Sequence, residues 1–107
     1  MELEVKKSEN GTNTLVMRGK FMFEDNQIFY PAVKEFENDD VKKIELDMSG
    51  VEYMDSHALG MVCVFIEKAK QHSKDGVILN PKGQVKKIFD TSKIEYQGEK
   101  QKELKQA

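Results

Sequence analysis

The chain has 107 residues, 38% hydrophobic and 34% charged, with a formal net charge of −2. That length suits one domain with one modest core. The near-neutral charge offers no basic footprint for nucleic acid, and no apolar run approaches the length of a membrane span. The single cysteine, Cys63, has no internal disulfide partner, which fits a reducing compartment. Met1 to Lys7 has neither the basic start nor the apolar segment of a secretory signal, so a cytoplasmic domain is expected.

Turn signals divide the chain into short alternating segments. Asn10-Gly11 separates residues 3–7 from 14–19, which are expected to pair as an antiparallel hairpin, with Thr12 and Asn13 lengthening its loop. Ile28, Phe29, Ala32, Val33 and Phe36 recur at helical spacing. Asp25 or Asn26 is a candidate cap, and Pro31 places the start of the regular helix near Tyr30, or makes the helix irregular before it. In residues 43–48, Ile44, Leu46 and Met48 alternate with Lys43, Glu45 and Asp47, the clearest strand pattern in the chain. Such alternation predicts a sheet covered by helices on one face and wet on the other.

Ser49-Gly50 breaks the alternation, and a helix is predicted from about Asp55-Ser56. Its stripe is Leu59, Val62, Ile66 and Ala69, and residues 58–66 carry no charge on any face. Asp75-Gly76 is read as closing it. Residues 77–79 follow as a buried strand, and residues 84–90 as a last helix with Val85, Ile88 and Phe89 inward. The expected fold is α/β: a mixed sheet of about four strands, the first two antiparallel, with helices on one face in the order β-β-α-β-α-β-α. Residues 1–96 form the single domain, and the polar tail, 97–107, is expected to be solvated or loosely helical.

Catalytic patterns are weak. His57 and His72 are fifteen positions apart, Cys63 falls in mid-helix, and the spacings of zinc and calcium sites are missing. No Gly-rich phosphate loop is present. Asp55, Ser56 and His57 are consecutive, so they do not place nucleophile, base and orienter in line. An enzyme is therefore not expected, and neither is a metal or cofactor. What stands out is the Asp55-Ser56 step, whose plain reading is a helix cap. The uncharged segment beside it exceeds what one buried face requires and is a candidate docking surface.

Residues 44–62 resemble the signature of the STAS family, in particular its single-domain bacterial anti-sigma-factor antagonists. The family pattern is an apolar strand ending Asp-x-Ser, then Asp-Ser, two small residues and Leu-Gly before an apolar helix. Asp47 and Ser49 match the first part, Asp55 and Ser56 the second, and Leu59-Gly60 the third. Weaker likeness extends over residues 10–94. The resemblance implies that a serine kinase of histidine-kinase-like fold phosphorylates Ser56 and that a serine phosphatase reverses the step. It implies too that only the unphosphorylated form holds the kinase, freeing its target, often a sigma factor. Partner contacts would then come from Asp55, Ser56, His57, Ala58, Leu59, Met61 and Val62, with Asp47, Ser49 and Gly60 structural. His57 departs from the family, in which a small residue usually follows the serine. That bulky ring bears on which kinase is recognised. Rival readings are a scaffold subunit of a signalling assembly and a cytosolic subunit regulating a membrane transporter.

Overall fold

A computed structural model describes residues 1–98. Among them the order is β1 (Glu2–Lys7), β2 (Thr12–Phe21), α1 (Asn26–Val33), β3 (Lys43–Met54), α2 (Ser56–Gln71), β4 (Asp75–Leu79) and α3 (Gly83–Ser92). Short 3₁₀ turns, Phe23–Asp25 and Lys34–Glu37, flank α1. The sheet runs β1-β2-β3-β4, antiparallel between β1 and β2 and parallel thereafter. The parallel steps all advance the same way, so right-handed crossovers put their helices on one face. This is the mixed sheet that the alternating segments predict.

The two-residue period decides which face is covered. Leu15, Met17, Ile44, Leu46 and Met48 are fully buried with Phe29 of α1, Phe65 of α2 and Phe89 of α3 in one core. On the opposite face Thr14 Oγ1 donates to Glu45 Oε1 (2.9 Å), and Lys43 Nζ pairs with Glu45 Oε2 (3.2 Å), half-exposed.

Thr12 and Asn13 do not lengthen the hairpin loop but open β2, where Asn13 pairs with Lys7 and Ile44. Three further boundaries differ from expectation, each for a packing reason. First, β3 does not end at Met48 but continues to Met54. Its register against β2 shifts between Val16 and Arg18 and again between Gly19 and Lys20, each time with one extra residue on β3. The buried positions accordingly step from Met48 to Val51 to Met54, which broke the alternation that marked the strand. Asp47 Oδ1 accepts from both the Ser49 backbone N–H (3.1 Å) and the Ser49 hydroxyl (2.9 Å), closing the first bulge. A Cβ on Gly50 would stand 2.9 Å from the Met17 carbonyl oxygen, so only glycine lets β2 and β3 approach there.

Second, α1 starts at Asn26, not near Tyr30, and holds the exposed Pro31 inside it. Phe29, Val33 and Phe36 are at most 2% exposed. Burying three such side chains, about 1.5–3 kcal/mol each, outweighs the roughly 3 kcal/mol that a mid-helix proline costs. Asp25 does not cap α1 with its side chain; its Oδ2 accepts from the Met22 N–H (2.8 Å) and closes the preceding 3₁₀ turn. Third, α2 ends at Gln71, and Asp75-Gly76 opens β4 instead of closing the helix. A Cβ on Gly76 would lie 2.9 Å from that of Ala69, so this glycine lets α2 lie against the strand.

The chain pairs with the sheet as far as Gln97, whose N–H donates to the Ile78 carbonyl (2.8 Å) beside the β4 edge. The rest of the expected polar tail, from residue 99, lies outside the described residues. Among the described residues no helix is long and apolar enough to cross a membrane.

The bulge generates a direct test. Gly50→Ala should lower unfolding stability by about 1–3 kcal/mol, the usual range for forcing an atom into packed structure, as read from urea denaturation.

Candidate functional site

Strands β2, β3 and β4 run parallel, so their C-terminal ends point the same way: Phe21 is paired with Met54, while β4 stops earlier, with Leu79 level with Asp47. The turns that leave them therefore lie toward that end of the sheet, where ligands and partners of open α/β sheets usually bind. The turn after β3 is a single residue, Asp55, in extended conformation between strand and helix. Its Oδ1 accepts from the Ala58 N–H (2.8 Å), capping α2. Its Oδ2 accepts from the Phe23 N–H (3.1 Å) in the turn after β2. One carboxylate thus ties two turns together. The Ala58 N–H holds the Asp55 pKa below its ordinary value; partial burial opposes this, and the Phe23 N–H and the charge of His57 add to the lowering.

Ser56 is the first residue of α2 and is exposed, and its hydroxyl has no hydrogen-bond partner among the described residues. Of the two cap candidates, Asp55 does the capping and leaves Ser56 free. His57 is also exposed, its ring 5.1 Å from that of Phe23 and inclined at 59°. Phe23, at 58% exposure, is the most exposed large apolar residue among those described. Its carbonyl accepts from Asn26 Nδ2 (2.6 Å), so the turn that carries it is held on both sides.

The remaining expected contact residues separate. Leu59 is half-buried against the core. Ala58, Met61 and Val62 are at most 3% exposed and belong to the core, which corrects their assignment to a docking surface. The uncharged run 58–66 looked too apolar for one buried face because α2 packs against both the sheet and α1. Its exposed positions beside Ser56 are Gly60 and Cys63. Asp47 and Ser49 sit at the bulge inside β3, away from the turn itself. Gly60 is not structural in the sense expected, since a Cβ there would meet no atom within 4 Å.

Two contributors escaped the sequence reading. Phe23 was legible only as an apolar residue in a turn ahead of Glu24-Asp25. Gln84 carried no signal: its Oε1 accepts from the Met54 N–H and its Nε2 donates to the Met54 carbonyl, both at 3.0 Å. That side-chain amide joins the start of α3 to the strand end just before Asp55. Among the described residues no three His, Cys, Asp or Glu side chains form a metal-ligating group.

The STAS domain model matches residues 4–99. The chain belongs to the STAS-domain family. No curated protein matches it in sequence. Among solved structures, it is similar to the anti-sigma factor antagonist SpoIIAA in its unphosphorylated form (TM-score 0.73, 16% identity, 91% of this chain and 86% of that one). The phosphorylated form of the Bacillus protein matches comparably (0.72, 18%, 85% and 83%). A putative anti-sigma factor antagonist of Thermotoga maritima reaches 0.76 at 18% identity, over 91% and 86%. The murine anion transporter Slc26a9 is matched at 0.65 and 17% identity over 79% of this chain but 14% of its own. At these identities the likeness speaks for the fold, which is that of SpoIIAA-like STAS domains.

Two predictions follow from the geometry. Because the folded Asp55 pKa lies below its ordinary unfolded value, its contribution to stability is full above that ordinary value and is lost as pH falls through the folded pKa. Asp55→Ala should therefore lower the melting temperature at neutral pH, and the gap to the wild type should narrow in acid, as followed by thermal melts across pH. Replacing Gln84 with Leu strips two partners from the Met54 backbone and should cost about 1–3 kcal/mol, measured by chemical denaturation.

Proposed function

We propose that this STAS domain is a partner-switching regulator of the anti-sigma-factor-antagonist type, controlled by phosphorylation of Ser56. The observation that carries the reading is the free, exposed Ser56 hydroxyl at the head of α2, beside an aspartate that already caps the helix. In the reaction the Ser56 oxygen attacks the γ-phosphorus of ATP, the bond to ADP breaks, and the hydroxyl proton leaves to a base on the kinase. The chain itself is substrate and ligand rather than catalyst. Its unphosphorylated form binds a serine kinase of histidine-kinase-like fold in the cytoplasm, and a serine phosphatase restores that form.

Electrostatics accounts for the direction of the switch. A phosphate adds about −1.5 to −2 charges beside the ionised Asp55. The head of a helix accepts such charge through its dipole and unpaired N–H groups. Since Asp55 rather than Ser56 supplies the cap, the modification leaves the helix start intact. A partner covering Ser56 must instead desolvate a dianion, and each 1.4 kcal/mol lost weakens the complex about tenfold. The effect falls on binding more than on folding.

Regulation of a membrane transporter is the second reading, favoured by the likeness to part of an anion transporter. One capture experiment separates the two. Wild type and Ser56→Ala immobilised as baits in native lysate should retain a kinase-fold protein that Ser56→Glu loses, with affinity down at least about tenfold. Equal retention of the same protein by all three baits would end the switch reading. Co-purification of permease components would favour the transporter reading.

A further inference from the structure

We infer that Gly60 keeps open the kinase's approach to Ser56, acting as an access-determining position for the phosphoryl transfer. The inference rests on the reading of Ser56 as phosphoacceptor. Glycine is the least favourable residue for a helix interior apart from proline. At Gly50 and Gly76 the fold explains it, because a Cβ would stand 2.9 Å from other atoms. Gly60 has no such reason: it lies within α2, is exposed, and a Cβ there would meet nothing within 4 Å. The fold therefore bears an unfavourable residue from which it gains nothing.

Its place supplies the reason. Gly60 is four residues after Ser56, hence on the same side of α2 one turn along. Side chains on a helix lean toward its N-terminus and cover the turn before their own Cα. A side chain at position 60 would thus lie over the turn that carries the Ser56 hydroxyl. For transfer, the γ-phosphorus of ATP must come within about 3–3.5 Å of that oxygen. Part of the kinase surface must then rest on the adjoining turn. On the other flank His57 and the exposed Phe23 ring stand against each other, so the bare helix at Gly60 is the low side of the site.

A test that sets stability against reaction rate decides the matter. Wild type, Gly60→Ala, Gly60→Gln and, as control, Gln71→Ala at the exposed far end of α2 are incubated with ATP in native-host lysate. Phosphate on Ser56 is followed by mass, and each protein is melted separately. Gly60→Ala should melt a few degrees higher, as glycine removal from an exposed helix predicts. Its phosphorylation should slow about tenfold, that of Gly60→Gln further, and Gln71→Ala should match the wild type. Wild-type rates in both Gly60 variants would overturn the inference and leave Ser56 as the acceptor. A lower melting temperature for Gly60→Ala would also overturn it, by showing that the glycine serves the fold. Absence of phosphate on Ser56 in the wild type would remove the reading of Ser56, and this inference with it.

Discussion

The two oxygens of the Asp55 carboxylate hold the head of α2 and the turn after β2 at once, one through Ala58 and the other through Phe23. The whole candidate site depends on that division. Because the carboxylate is ionised and already satisfied, Ser56 is not needed as a cap and its hydroxyl stays available. The same bond to Phe23 sets an aromatic ring against His57 instead of leaving it on a wandering loop. Gln84 adds a further tie by pairing with both backbone groups of Met54, so that β3, α2, α3 and the turn after β2 meet within a few residues. Groups used for recognition are most effective when their supports are rigid before the partner arrives.

The length and bulges of β3 explain why this carboxylate reaches its place. Twelve residues with two inserted positions carry the chain past the end of β4 to the edge where β2 also ends. Each insertion turns the following residues by one step, so Met48, Val51 and Met54 all face inward although their spacing is three rather than two. Asp47 and Ser49 hold the first irregularity, and Gly50 admits the neighbouring strand. The residues that resemble the family signature therefore serve two separate tasks. Asp47, Ser49 and Gly50 shape the strand, while Asp55 caps α2 beside the exposed Ser56 of the candidate site.

Much of this was visible from residue order alone. Alternation in residues 43–48 marked the covered face of the sheet, Asn10-Gly11 marked the hairpin, and the spacing of Asp55-Ser56 ahead of an apolar helix marked the site. These are local signals, carried by residues near one another in the chain. Legibility failed where a distant segment decided the outcome. The end of β3 depends on its pairing with β2, some thirty residues earlier. The start of α1 depends on Phe29, Val33 and Phe36 finding a core that outweighs Pro31.

The site divides along the same line. Sequence by itself determined the fold family and the order of elements and singled out Asp55 and Ser56 as candidates, because periodicity, turn chemistry and motif spacing act over short stretches of chain. Only the tertiary structure decided which of the two residues caps the helix, that Ala58, Met61 and Val62 turn inward, and that Phe23 and Gln84 belong to the site. Those outcomes depend on which surfaces α2 covers and which backbone groups lie within hydrogen-bond reach. Contacts between residues some thirty positions apart set both, and no local pattern in the chain encodes them.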